Sequence, residues 1–156
     1  MTKAEAYSAE KKFEPAVLLN ARLYPDMFPL IRQVQVAADF AKSVSARLAG
    51  VEVPVYEDNE QTFADFQARI GKTLTFIGSL TPAQFEGSET REILLRPGMP
   101  KEKRLMGHNF LANYGLPQFF FHVTTALRFC GTMVWRSVKV ILWVAFRLCC
   151  PIYLTC

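Results

Sequence analysis

Imidazole is the side chain most ready to carry acid–base or metal chemistry near neutral pH. The sequence has two histidines, His108 and His122. Placed on one continuous helix they would stand about 21 Å apart, too far to ligate a single ion together. His122 follows Phe119, Phe120 and Phe121. It reads as a hydrogen-bonded histidine at the edge of a core, and the phenylalanines read as core rather than as a cofactor box. A second constellation is polar: Arg32, Gln35, Asp39 and Lys42 recur at near-helical spacing. With Arg22, Asp26 and His122 they make the candidate pocket, although a solvated face with intrahelical pairs is the simpler reading of the same spacing. The cysteines add no chemistry. Cys149 and Cys150 are adjacent and cannot form an unstrained bridge, and with Cys130 and Cys156 they match no zinc spacing. No nucleophile elbow, phosphate loop or HExxH run precedes them. The residue types therefore call for no metal and no cofactor.

These residues must be positioned by helices. Met1 to Lys12 is rich in Ala, Glu and Lys and reads as helix, with few apolar positions to bury. Pro25-Asp26 has the make-up of a helix start, with proline in the first turn and an acid near the positive dipole end. From there Met27, Leu30, Val34, Ala37, Ala41, Val44 and Leu48 alternate steps of three and four, the seam of a helix packed in a bundle, and Gly50 stands where a C-terminal cap is wanted. Thr62 and Asp65 have capping-box spacing ahead of a second stripe, Phe63, Phe66, Ile70, Leu74 and Ile77. Two short extended runs around Arg96-Pro97-Gly98 predict a hairpin. A last helix is expected from about Gly107, kinked or restarted at Pro117. Three helices of about 20 residues close a core only with a fourth element over the open face.

Charge separates the chain into two parts. Of the 156 residues, 51% are hydrophobic, and 18 basic against 14 acidic side chains leave a charge of +4. All 14 acids and 14 of the bases precede residue 126, so the body over 1–125 is neutral and presents no basic face for nucleic acid. Residues 126–156 hold both tryptophans, all four cysteines and no acid. Within them, residues 138–154 are a marginal membrane span, because any 20-residue insertion would carry Lys139 or Arg147 into the bilayer. A cytoplasmic body is expected, with membrane association only if that tail inserts.

The run Leu18-Leu19-Asn20-Ala21-Arg22-Leu23-Tyr24-Pro25-Asp26-Met27-Phe28-Pro29-Leu30, followed by Arg32-Gln33-Val34-Gln35, resembles the uncharacterised branch of the DinB/YfiT-like helical bundles known as domain of unknown function nineteen ninety-three. Agreement continues through Ala46 to Pro54, Thr62-Phe63, Ala68-Arg69-Ile70, Phe85-Glu86-Gly87 and Leu116 to Ala126. The resemblance implies an all-α, up-down four-helix bundle, here with its first helix truncated and a small β-hairpin before the last helix. It implies no assigned activity. Small-ligand binding is the leading expectation, a homodimer is one form of assembly it allows, and no nucleic-acid partner is expected. The alternatives are a metal-dependent transferase or hydrolase whose site has degenerated, and a small membrane-associated protein held by its tail. DinB-like proteins that bind a metal use a histidine triad, which two histidines cannot supply. After Ala126 the resemblance stops. The run Cys130 to Lys139 and a family-type ending L-R-H-N-G-V-E-I-G-K can be written as one nucleotide sequence in two reading frames, so 126–156 is expected to be frame-shifted or mis-spliced.

Overall fold

The structure is a computed structural model that describes residues 2–129. In chain order it comprises α1 (Thr2–Lys11), α2 (Pro15–Leu19), α3 (Leu30–Ala49), α4 (Phe63–Gly78), a 3-10 turn (Pro82–Phe85), β1 (Glu92–Leu95), β2 (Lys103–Met106), α5 (Gly107–Phe110), a π turn (Leu111–Gly115) and α6 (Leu116–Arg128). The described chain is mostly helical with one two-stranded antiparallel sheet. What was expected of residues 130–156, including a membrane span over 138–154, lies outside the described residues. Among the described residues no helix is long and apolar enough to cross a membrane.

The long helix does not start at Pro25-Asp26. Met27 N–H closes a turn on the Tyr24 carbonyl at 3.0 Å and Arg22 donates to the Met27 carbonyl, so 20–29 is a loop. Pro29 takes the N-cap position with extended backbone, and α3 begins one residue later. Two prolines competed for this start, and the second wins because a proline in the interior would cost a helical hydrogen bond and clash with the preceding turn. At the other end Gly50 adopts φ +70°, and the Val51 N–H reaches back to the Ala46 carbonyl at 3.0 Å. The Arg91 guanidinium closes this end by donating to the Leu48 carbonyl, a cation at the negative pole of the helix.

The capping box of α4 is complete: Asp65 N–H donates to Thr62 Oγ1 at 3.2 Å, and Thr62 N–H donates to the Asp65 carboxylate at 2.8 Å. The hairpin pairs Ile93 with Leu105 and Leu95 with Lys103, burying Ile93 and Leu95. The last helical segment restarts at Pro117, one of the two outcomes expected there. The Leu116 N–H bonds to the Leu111 carbonyl, five residues back, and this π turn places Pro117 in the first turn of α6, where its missing N–H costs little.

α3 packs on both α4 and α6. The apolar core falls into two clusters. Leu19, Leu30, Val34, Phe63 and Phe66 form one, with Ala126 and Phe129 packed against it at the end of α6. Val44, Leu48, Ile93, Leu95 and Phe110 form the other, beneath the hairpin. The middle of α3 carries the polar residues that point to a site.

Candidate functional site

Arg69 is an arginine on the buried stripe of α4, only 2% of its side chain exposed. A charge so placed must be matched by carboxylates or be very costly. Three supply the match: Glu60 at 2.7 Å and Asp58 at 3.0 Å from the linker before α4, and Asp39 at 2.9 Å from α3. Arg69 also donates to the Glu57 carbonyl at 3.1 Å. The cluster spreads from there. Lys42 pairs with Asp39 at 2.9 Å, Gln35 donates to Glu60 at 2.9 Å, and Arg32 pairs with Asp58 while donating to Gln35 at 3.2 Å. Burial alone would raise the Asp58 and Glu60 carboxyls. The hydrogen bonds and charge of Arg32 and Arg69 on Asp58, and of Arg69 and Gln35 on Glu60, outweigh it and hold both below their ordinary values. Burial likewise opposes the charged form of Arg69, yet its carboxylate partners raise it above its ordinary value.

Tyr56 lies over this cluster. Its ring faces Lys42 Nζ at 3.8 Å and Lys72 Nζ at 4.2 Å, both within cation–π range. Desolvation pushes its phenol above the usual value, against the pull of Arg69. Beside it opens a cleft of about 760 Å³ between the linker and the outer side of α4, lined by Tyr56, Glu57, Glu60, Asp65, Arg69 and Lys72 among others.

On another side of α3, His122 of α6 meets Gln33. The Gln33 amide nitrogen donates to the Phe28 carbonyl at 3.3 Å, which leaves its oxygen as acceptor for His122 Nδ1 at 2.7 Å, so Nδ1 carries the proton. Burial, aided by the nearby charge of Arg32, lowers the His122 pKa below its ordinary value, and the ring is neutral. It stacks on Phe40 with ring centres 6.0 Å apart.

The family described as domain of unknown function (DUF1993) matches residues 1–131. The chain belongs to this family. A crystal structure of a DinB family member from Shewanella denitrificans is similar to this DUF1993 chain at 40% identity and a TM-score of 0.76, covering 82% of this chain and 72% of that one. No curated protein matches it.

The structure brings Arg32, Gln35 and Asp39 together with Lys42 in one cluster. They are only in part a solvated face with intrahelical pairs: Lys42 pairs with Asp39 within α3, but Gln35 and Lys42 are buried, and Glu60 and Arg69 meet Gln35 and Asp39 from other elements. His122 is separate from the Arg69 pairings and faces Gln33. Arg22 is spent on the Met27 carbonyl and Asp26 is exposed in the loop, so neither bonds to the cluster. Sequence reasoning missed Tyr56, Asp58, Glu60 and Arg69. The signal for Arg69 was there, since it falls three residues after Phe66 on a face that must be buried, just beyond the acidic run Glu57 to Glu60.

A histidine triad does not fit these residues. α3 has no histidine, His108 is exposed on α5, and the Nδ1 of His122 is taken by Gln33. Among the described residues no group of three or more His, Cys, Asp or Glu side chains is arranged to hold a metal ion. Where Asp39, Asp58 and Glu60 converge, the Arg69 guanidinium fills the space between them.

Proposed function

We propose that this DUF1993 protein is a small-ligand-binding helical bundle with no bound metal, and that its ligand enters the cleft beside Tyr56. The carrying observation is that a cleft of about 760 Å³ is lined by Arg69 and Glu60, charged groups fixed in place by each other. Such a lining is preorganised: a ligand meets rigid donors and acceptors without having to order them. His122, neutral and held by Gln33, positions α6 on α3 rather than facing the cleft as a general base. The reading includes the up-down four-helix arrangement, with α1 in the first place beside α3, α4 and α6. It also includes a cytoplasmic body and a boundary near residue 125, past which the sequence holds all four cysteines and no acid.

The test is a thermal-shift screen of the full chain against cationic, anionic and neutral small molecules, followed by tyrosine-ring NMR of the wild type and Tyr56→Phe. At least one class should stabilise the protein saturably and shift the signals that the variant lacks. If no class does so, the cleft is not a binding site. Stoichiometric zinc or nickel in the purified chain would overturn the metal-free reading.

A further inference from the structure

We propose that the cleft takes an organic ammonium ion, bound on the Tyr56 ring in the place that the Lys72 ammonium now holds. The proposal rests on the cleft being a ligand site and adds the chemical class of the ligand. The two lysines at the ring differ in kind. Lys42 is buried and tied to Asp39 at 2.9 Å, so it is fixed on α3 and does not line the cleft. Lys72 is exposed and, among the described residues, forms no ion pair. Its ammonium rests 4.2 Å from the ring centre, on the end of a flexible side chain at the cleft wall. It occupies the ring as a tethered cation would, and little holds it there.

Charge decides the sign of the ligand. Glu57, Glu60 and Asp65 line the cleft against Arg69 and Lys72, three acids to two bases. When Lys72 swings out to solvent its charge leaves the ring, and one base remains to face three acids. An incoming ammonium restores the charge that left, whereas an anion would enter a surface of its own sign. The Glu57 carboxylate, exposed at the cleft wall and receiving Asn59 at 3.1 Å, can accept from the N–H groups of such a ligand.

The experiment uses the full chain with putrescine as probe and 1,4-butanediol as its uncharged counterpart, at matched ionic strength, read by titration calorimetry and tyrosine-ring NMR. Putrescine should bind saturably and the diol should not. Lys72→Met, a change at an exposed position, should tighten putrescine by about two- to fivefold, the worth of one exposed cation–π contact. Tyr56→Phe should keep binding and Tyr56→Leu should lose it, with circular dichroism checking that the latter is folded. Equal binding of the diol, weaker binding in Lys72→Met, or binding retained by Tyr56→Leu would each overturn the proposal. If anionic or neutral probes bind at Tyr56 and putrescine does not, the ammonium assignment fails while the cleft stands; if no probe binds, both fail.

Discussion

Replacing Arg69 by methionine keeps most of the apolar stem and removes the charge on which three carboxylates converge. The three are not equally exposed to the loss. Asp39 and Asp58 are each 37% exposed and keep Lys42 and Arg32, so water and a second cation cover them. Glu60 is 8% exposed and would be left with the Gln35 amide and its own backbone N–H, with no cation. Stranding a buried carboxylate by deleting its partner costs about 3–5 kcal/mol, well beyond the ~1 kcal/mol of an ordinary hydrogen bond, so Glu60 should dominate the effect. Urea unfolding at pH 7 should show Arg69→Met less stable by that amount, and Glu60→Gln added to it should recover more than half. The pH dependence gives a sign. In the wild type the Glu60 carboxyl is held below its unfolded value, so its contribution is full above ~4.3 and lost as pH falls through the lower folded value. In Arg69→Met burial is opposed only by the Gln35 and backbone hydrogen bonds, with no charge to help them, and the group rises, so the variant should close much of the gap to wild type on acidification toward pH 5. A loss under about 1 kcal/mol at pH 7, or no recovery in the double variant, would refute this account of the cluster.

Two further outcomes follow from the geometry. His122 has a folded pKa below its unfolded value near 6.5, so the unfolded chain takes up its proton first and stability should be full above that value and fall as pH drops through it. His122→Asn, which keeps a donor for Gln33, should flatten the fall in melting temperature between pH 7 and 5. At the hairpin end, a Cβ on Gly107 would lie 1.8 Å from the Ser88 carbonyl oxygen, a backbone atom that cannot turn aside, so Gly107→Ala should cost more than about 3 kcal/mol in denaturant unfolding or abolish folding.

What was legible in the sequence was local. The seam from Leu30 to Leu48, the Thr62–Asp65 box, the Gly50 cap and the hairpin each depend on residues a few positions apart, and each appears where spacing placed it. The start of α3 was misplaced by four residues because proline marks a helix start without saying which of two prolines serves. The site was legible only in part. Arg32, Gln35, Asp39 and Lys42 share a helix, so their common side could be seen, but what turns that side inward is the linker before α4 and Arg69, thirty residues from its partner Asp39. Gln33 and His122 are eighty-nine residues apart, and no periodicity connects them. Arg22 and Asp26 were grouped with the site by nearness in sequence, which a loop does not preserve.

The division of the core into two apolar clusters with polar partners along the middle of α3 has a mechanical consequence. Leucine and valine tolerate sliding, since one greasy contact replaces another at small cost. The Gln33–His122 and Asp39–Arg69 contacts do not: a shift of α3 by one turn, about 5.4 Å, would break both at once, leaving His122 buried without Gln33 and Arg69 without one of its three carboxylates. One pin locks α3 to α6 and the other locks it to α4. α3, α4 and α6 are thus held at a single axial setting, so that a cleft built from α4 and the linker before it keeps its shape.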